Sequence, residues 1–182
     1  MSRHWLITDI WGQHATLDPF IERLGAVAPH WQVLDPYSTQ RFLFEDEAQA
    51  YDYFLRRCSK ATYQKKVEAL LEQAEEPLTL LACSAGANAL WPLLSGPLAH
   101  KVRKAVLVYG SALPAEPVRP QCEVAMLLCA SDPGVQAQQA TLGQYGPLQT
   151  VKADHGFLNP RAPGYDARAA AEAEAWLHQQ LA

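Results

Sequence analysis

The chain of 182 residues is 49% hydrophobic and 19% charged, with a formal net charge of −4; that suffices for one sizeable core and is short for two independent ones. Acidic and basic residues are interspersed without a Lys or Arg run, so the composition excludes the charge footprint of a nucleic-acid or anionic-membrane partner. Residues 1–182 therefore read as a single domain with no nucleic-acid and no membrane partner.

The N-terminal Met1-Ser2-Arg3-His4, followed by the brief apolar run Trp5-Leu6-Ile7, lacks the long apolar stretch and small-residue cleavage site of a signal peptide. No segment reaches transmembrane length. The four cysteines, Cys58, Cys83, Cys122 and Cys129, form no CxxC pair and no zinc-ligand spacing. A reduced, cytoplasmic protein is the expectation.

Taken in chain order, the runs Trp5–Ile10 and Trp31–Leu34 are short, apolar and suited to buried parallel strands. Helical spacing follows at Val67, Leu70, Leu71 and Ala74, which share one face while Lys65, Lys66, Glu68 and Glu72 point to water. A third strand, Leu78–Cys83, leads into a helix in which Pro92 removes an N–H and clashes with the carbonyl of Asn88, predicting a kink. The fourth strand spans Ala105–Tyr109. The prolines of the next segment, Gly110 to Pro120, predict an ordered loop and exclude a folded cap. Val124–Cys129 and the weaker Leu148–Val151 complete six strands, and a helix over Ala167–Leu181, capped by Asp166 and with Ala173, Trp176 and Leu177 on one stripe, closes the chain. Strands alternating with helices imply an α/β fold: a mostly parallel six-stranded sheet with helices on both faces, no large cap, and function at the carboxyl ends of the strands.

Ser84 lies where the third strand meets its helix, in Ala82-Cys83-Ser84-Ala85-Gly86. That is the pattern of a nucleophile elbow, a strained turn in which the positions two before and two after the nucleophile must be very small. Ala82 departs from the usual glycine by one methyl group. Cys83 is the rival nucleophile, but it would put Leu81 in the small position, so it reads as a buried strand residue. Small residues at a strand-to-helix turn serve packing in many proteins, and the pentapeptide alone decides nothing. Nor does Asp132, in the ready-made turn Asp132-Pro133-Gly134, or the loop histidine His155. Their joint order does carry weight: nucleophile, acid, base, each just past a successive strand, is the α/β-hydrolase order. The oxyanion donors are expected from the backbone of Ala85 and, in the Asp9-Ile10-Trp11-Gly12 turn, of Trp11. Ile10, Trp11 and Phe157 are expected to wall the substrate pocket.

These residues resemble the dienelactone hydrolase-like family of α/β-hydrolases over nearly the whole chain. Asp9-Ile10-Trp11-Gly12 is similar to the family's acidic-Ile-Phe-Gly oxyanion loop, and Asp35-Pro36-Tyr37 to its segment after the next strand. The most specific match is His155-Gly156-Phe157-Leu158-Asn159-Pro160, followed by Tyr165-Asp166-Ala167 and an alanine-rich helix. The resemblance implies a minimal version of the fold whose sheet begins at the usual third strand. It also implies nucleophile, orienting and base roles for Ser84, Asp132 and His155. A serine replaces the cysteine of the enzymes that open dienelactone, and Asn159 with the later Arg161 stands where they place a carboxylate-binding arginine, which points away from dienelactone itself.

The expected activity is hydrolysis of a small soluble ester, lactone or thioester through an acyl-enzyme, with no metal and no cofactor. The competing expectation is a non-catalytic binding or scaffold protein on the same fold. A nucleotide site at Ala85-Gly86-Ala87 is disfavoured by the lack of GxGxxG and of a Walker lysine. An edge strand left bare by the missing early strands is expected to offer a surface for a homo-oligomer.

Overall fold

Over Leu80–Cys83, Ala105–Val108 and Val124–Cys129 apolar side chains run without interruption, which suits a sheet covered on both faces. In the computed structural model, which describes residues 3–182, six strands form one parallel sheet in the order β2-β1-β3-β4-β5-β6. They are β1 (His4–Ile7), β2 (Trp31–Leu34), β3 (Leu78–Cys83), β4 (Val102–Val108), β5 (Glu123–Cys129) and β6 (Leu148–Val151). The helices are α1 (Asp18–Leu24), α2 (Glu47–Arg57), α3 (Lys60–Gln73), α4 (Ala85–Leu90), the one-turn α5 (Ala112–Ala115), α6 (Val135–Leu142) and α7 (Ala167–Leu181). No helix among the described residues is long and apolar enough to cross a membrane.

The period of two divides each strand between two cores. Leu80, Ala82, Ala105, Leu107, Met126 and Leu128 pack with α2 to α6, whereas Leu81, Cys83, Val106, Val108, Leu127 and Cys129 pack with α1 and α7. β3 sits at the centre, where Ala82 is in register with Ile7 on one side and Leu107 on the other. The order reverses between β1 and β3, and that switch point is where a parallel α/β sheet opens a crevice at its carboxyl edge.

Three boundaries differ from expectation. β1 stops at Ile7 rather than Ile10, because the chain folds back on Asp9: the Gly12 N–H donates to the Asp9 carbonyl and the Trp11 N–H to its carboxylate. β4 begins at Val102 and ends at Val108, since Tyr109 has a φ of 34° that no strand tolerates. Pro92 does not kink a continuous helix. α4 ends at Leu90 and the chain tightens into a 3₁₀ turn over Trp91–Ser95 with Pro92 in its first turn, where a missing N–H costs little. The segment between β4 and β5 holds only α5 as regular structure.

Candidate active site

Ser84 occupies the N-cap position of α4, where a serine ordinarily turns its hydroxyl onto the helix's own N–H groups. Here it makes no such bond. Its backbone takes φ 49° and ψ −112°, a conformation rare for any side chain other than glycine's and costing about 1–3 kcal/mol. Two hydrogen bonds hold it there: the Ser84 N–H donates to the Val108 carbonyl at 2.9 Å, and the Asn88 N–H donates to the Ser84 carbonyl at 2.9 Å. The result lifts the hydroxyl out of the strand line and puts Oγ 2.9 Å from His155 Nε2.

The need for a small residue at position 86 is visible directly. A Cβ there would lie 2.5 Å from the Ile7 carbonyl oxygen and 2.6 Å from that of Thr8, so α4 rides against the end of β1 on bare backbone. Ala82, on the other side of the turn, is fully buried, and its methyl is accommodated in the core on the α2–α6 face of the sheet.

Asp132 is not a cap either. The N-cap of α6 is Gly134, and the Asp132 carboxylate instead accepts from His155 Nδ1 at 2.9 Å. The backbone of Asp132 is tied to β5 by its N–H donating to the Cys129 carbonyl. His155 is held by a turn in which the Phe157 N–H donates to the Asp154 carbonyl, Gly156 has φ 85°, and the Tyr109 ring meets the imidazole edge-on at 5.0 Å. The three predicted residues, 71 positions apart at the extremes, thus form one hydrogen-bonded chain Ser84–His155–Asp132. Cys83, by contrast, points into the α1–α7 core, and burial pushes its thiol far above the ordinary range.

The Asp9-Ile10-Trp11-Gly12 turn faces Ser84 across the crevice. The Trp11 N–H, expected to meet an oxyanion, instead donates to Asp9 Oδ1 at 2.9 Å, which removes it from that role. Among the described residues the Ile10 N–H has no hydrogen-bond acceptor, and Ile10 lines the same cavity as Ser84 and Ala85. The turn is fastened from outside: Tyr37 Oη donates to the Ile10 carbonyl at 2.5 Å, Asn159 Nδ2 donates to Asp9 Oδ2 at 2.8 Å, and Gly12 at φ 65° leaves room for the Tyr37 ring. Burial raises the Asp9 carboxyl to about 6 against the lowering effect of Asn159.

The cavity at Ser84 has a volume of about 830 Å³. Ile10 and Trp11 line it as expected, with Arg161 over the Trp11 ring at 5.5 Å. Phe157 does not. It is fully buried against Tyr109 in the α1–α7 core, because the left-handed Gly156 turns the chain away from the crevice. The sequence reading missed Tyr109 and the wall built by Glu47, Tyr51, Lys60 and Gln64 from α2 and α3. Tyr109 had a usable signal, standing at the end of an apolar run and before Gly110; the wall had none, since its side chains look like an ordinary solvated helix face.

Solved structures superpose on this chain over nearly its whole length. The fold is that of the α/β-hydrolases. A protein from Klebsiella pneumoniae, provisionally assigned as a dienelactone hydrolase, superposes with a TM-score of 0.69 at 15% identity, over 97% of this chain and 85% of that one. An esterase from an Arctic intertidal metagenomic library gives 0.58 at 15% identity, over 100% and 84%. The Bacillus cereus carboxylesterase gives 0.55 at 14% identity, over 99% and 89%. No family model matches the sequence, and no curated protein matches it either. At such identities it is the fold that is shared.

Proposed function

We propose that this chain is a serine hydrolase that cleaves small carboxylic esters, lactones or thioesters through an acyl-enzyme at Ser84. The observation that carries this reading is the unbroken chain from Ser84 Oγ to His155 Nε2 and from His155 Nδ1 to Asp132 Oδ2, both links at 2.9 Å. A structural serine at a helix start would have no reason to leave its capping partners, take a strained backbone and meet an imidazole.

In this mechanism Asp132 holds the Nδ1–H tautomer of His155, leaving the Nε2 lone pair for the serine proton. Ser84 Oγ attacks the acyl carbon as His155 takes its proton, and the Ala85 and Ile10 N–H groups receive the developing oxyanion. His155 then hands the proton to the departing alkoxide or thiolate, leaving the acyl group on Ser84. Water attacks the acyl-enzyme with His155 as base, the acid leaves, and the proton returns to Ser84. A crevice of about 830 Å³ falls within the range of small-molecule sites and, with no folded cap between β4 and β5, favours soluble substrates over long acyl chains.

The test is labelling by a fluorophosphonate probe, with the modified residue located by mass spectrometry in wild type, Ser84→Ala and His155→Ala. Labelling at Ser84 that disappears in both variants is expected. A folded wild-type chain that stays unlabelled, or that labels at Cys83, refutes the proposal.

A further inference from the structure

Cys129, the last residue of β5, stands behind the pair that orients the imidazole, and the hydrolytic mechanism has no use for it. Its Sγ, a carboxylate oxygen of Asp132 and an imidazole nitrogen of His155 all lie within 4.8 Å of one another. The nitrogen turned toward Asp132 is Nδ1. Any small hydrophobe would fill the space of a fully buried thiol, yet this position brings sulfur, nitrogen and oxygen donors to one point.

We propose that Cys129, Asp132 and His155 form an inhibitory site for a thiophilic divalent cation of the zinc type, which shuts off the base by capturing its orienting nitrogen. This rests on the reading of His155 as the base. A thiolate, an imidazole and a carboxylate are the donors zinc prefers, with the fourth position left to water. With metal–ligand distances of about 2.0–2.3 Å, tetrahedral geometry asks for donor atoms roughly 3.3–3.7 Å apart. The His155 Nδ1 to Asp132 Oδ2 pair at 2.9 Å opens to that spacing with a small side-chain rotation, and all three donors already lie within 4.8 Å. The His155 side chain is 37% exposed and that of Asp132 13%, so an ion reaches the buried sulfur from the solvent side.

The proton balance explains the inhibition. In the resting chain the imidazole carries its proton on Nδ1 and accepts the serine hydroxyl at Nε2. A metal on Nδ1 displaces that proton, which passes through water to Nε2 so that the ring stays neutral. Nε2–H is then a donor and cannot take the Ser84 proton. The thiol of Cys129 loses its proton to solvent on becoming a ligand, so each ion bound releases one proton and binding weakens as pH falls.

The experiment combines zinc binding, followed by equilibrium dialysis, with fluorophosphonate labelling in the presence of zinc and after chelation. Zinc binding is compared in wild type, Ser84→Ala, Cys129→Ala and Cys129→Ser, and labelling in wild type and the two Cys129 variants, each labelling rate being referred to the same protein without zinc. Wild type and Ser84→Ala are expected to bind one zinc. Loss of an outer partner of a metal ligand already costs about 10- to 100-fold in affinity, so both Cys129 variants are expected to bind at least about 100-fold more weakly. Zinc should stop labelling of the wild type, chelation should restore it, and the Cys129 variants should resist. Cobalt-loaded wild type should show a thiolate-to-metal charge-transfer band that Cys129→Ser lacks, which reads the site even if the alanine variant folds poorly. Equal zinc affinity in Cys129→Ser and wild type, or no zinc bound by wild type, overturns the proposal. Zinc bound through Cys129 in a chain that never labels at Ser84 supports the metal site and refutes the hydrolase reading.

Discussion

Gly86→Ala is the sharpest test of how the turn at Ser84 is built. The added Cβ would stand 2.5 Å from the Ile7 carbonyl oxygen, 2.6 Å from that of Thr8 and 2.8 Å from Ile7 Cγ2. Both oxygens belong to backbone and neither can rotate away. To restore an ordinary contact of about 3.4 Å, α4 must retreat from β1 by about 0.9 Å or the end of β1 must yield by as much. Overpacking of this kind costs about 1–3 kcal/mol, and two rigid partners put it at the upper end, about 3 kcal/mol. For a chain of this length that is a fall in Tm of about 6–12 °C. The same displacement moves Ser84 and the Ala85 N–H away from His155 and Ile10, and a misplacement near 1 Å costs about 100-fold in rate. Thermal unfolding followed by circular dichroism measures the first effect and the fluorophosphonate labelling rate, taken well below the variant's Tm, measures the second. A variant within about 0.5 kcal/mol of wild type, the range of innocuous surface changes, refutes the close approach of α4 to β1 as the reason for glycine here.

Two other substitutions probe the electrostatics. Asp132→Asn keeps the shape of the orienting group but turns an N–H toward His155 Nδ1, favouring the tautomer whose Nε2 cannot accept a proton; hydrolysis of a short activated ester is expected to fall about 10,000-fold in kcat, and a loss smaller than about tenfold would show that the aspartate does not set the tautomer. Asp9→Asn concerns stability against pH. The Asp9 carboxyl titrates at about 6 in the fold against 3.8 in the open chain, so between these values the native state holds the extra proton and stability falls as pH rises through the window. The fully ionised, buried group therefore costs about 3 kcal/mol at neutral pH. The Tm difference between variant and wild type is expected to move in favour of the variant from pH 4 to pH 7, and a difference independent of pH would refute the buried ionisation.

The sheet, its six strands and the meeting of Ser84, Asp132 and His155 were largely legible in the chain itself. Buried parallel strands need continuous apolar runs, the runs at Leu78–Cys83 and Val124–Cys129 are unmistakable, and a parallel sheet brings every strand's carboxyl end to one edge. Gly86 was legible for the same reason, as a helix that starts against a neighbouring strand has no room for a side chain. What the chain order could not convey was which polar atoms are already occupied. Trp11 lost its expected role to the Asp9 carboxylate two residues away, and that carboxylate is held by Asn159 from the far end of the chain. Phe157 lies outside the pocket, buried behind the left-handed turn at Gly156, and Cys129 lies beside Asp132 and His155 because the tight turn to Asp132 folds the carboxylate back over the strand end. Periodicity along a sequence reports which residues are buried; the partner a backbone N–H or donor atom finds is set by how turns and segments as far apart as Asp9 and Asn159 are brought together, and only the folded chain decides it.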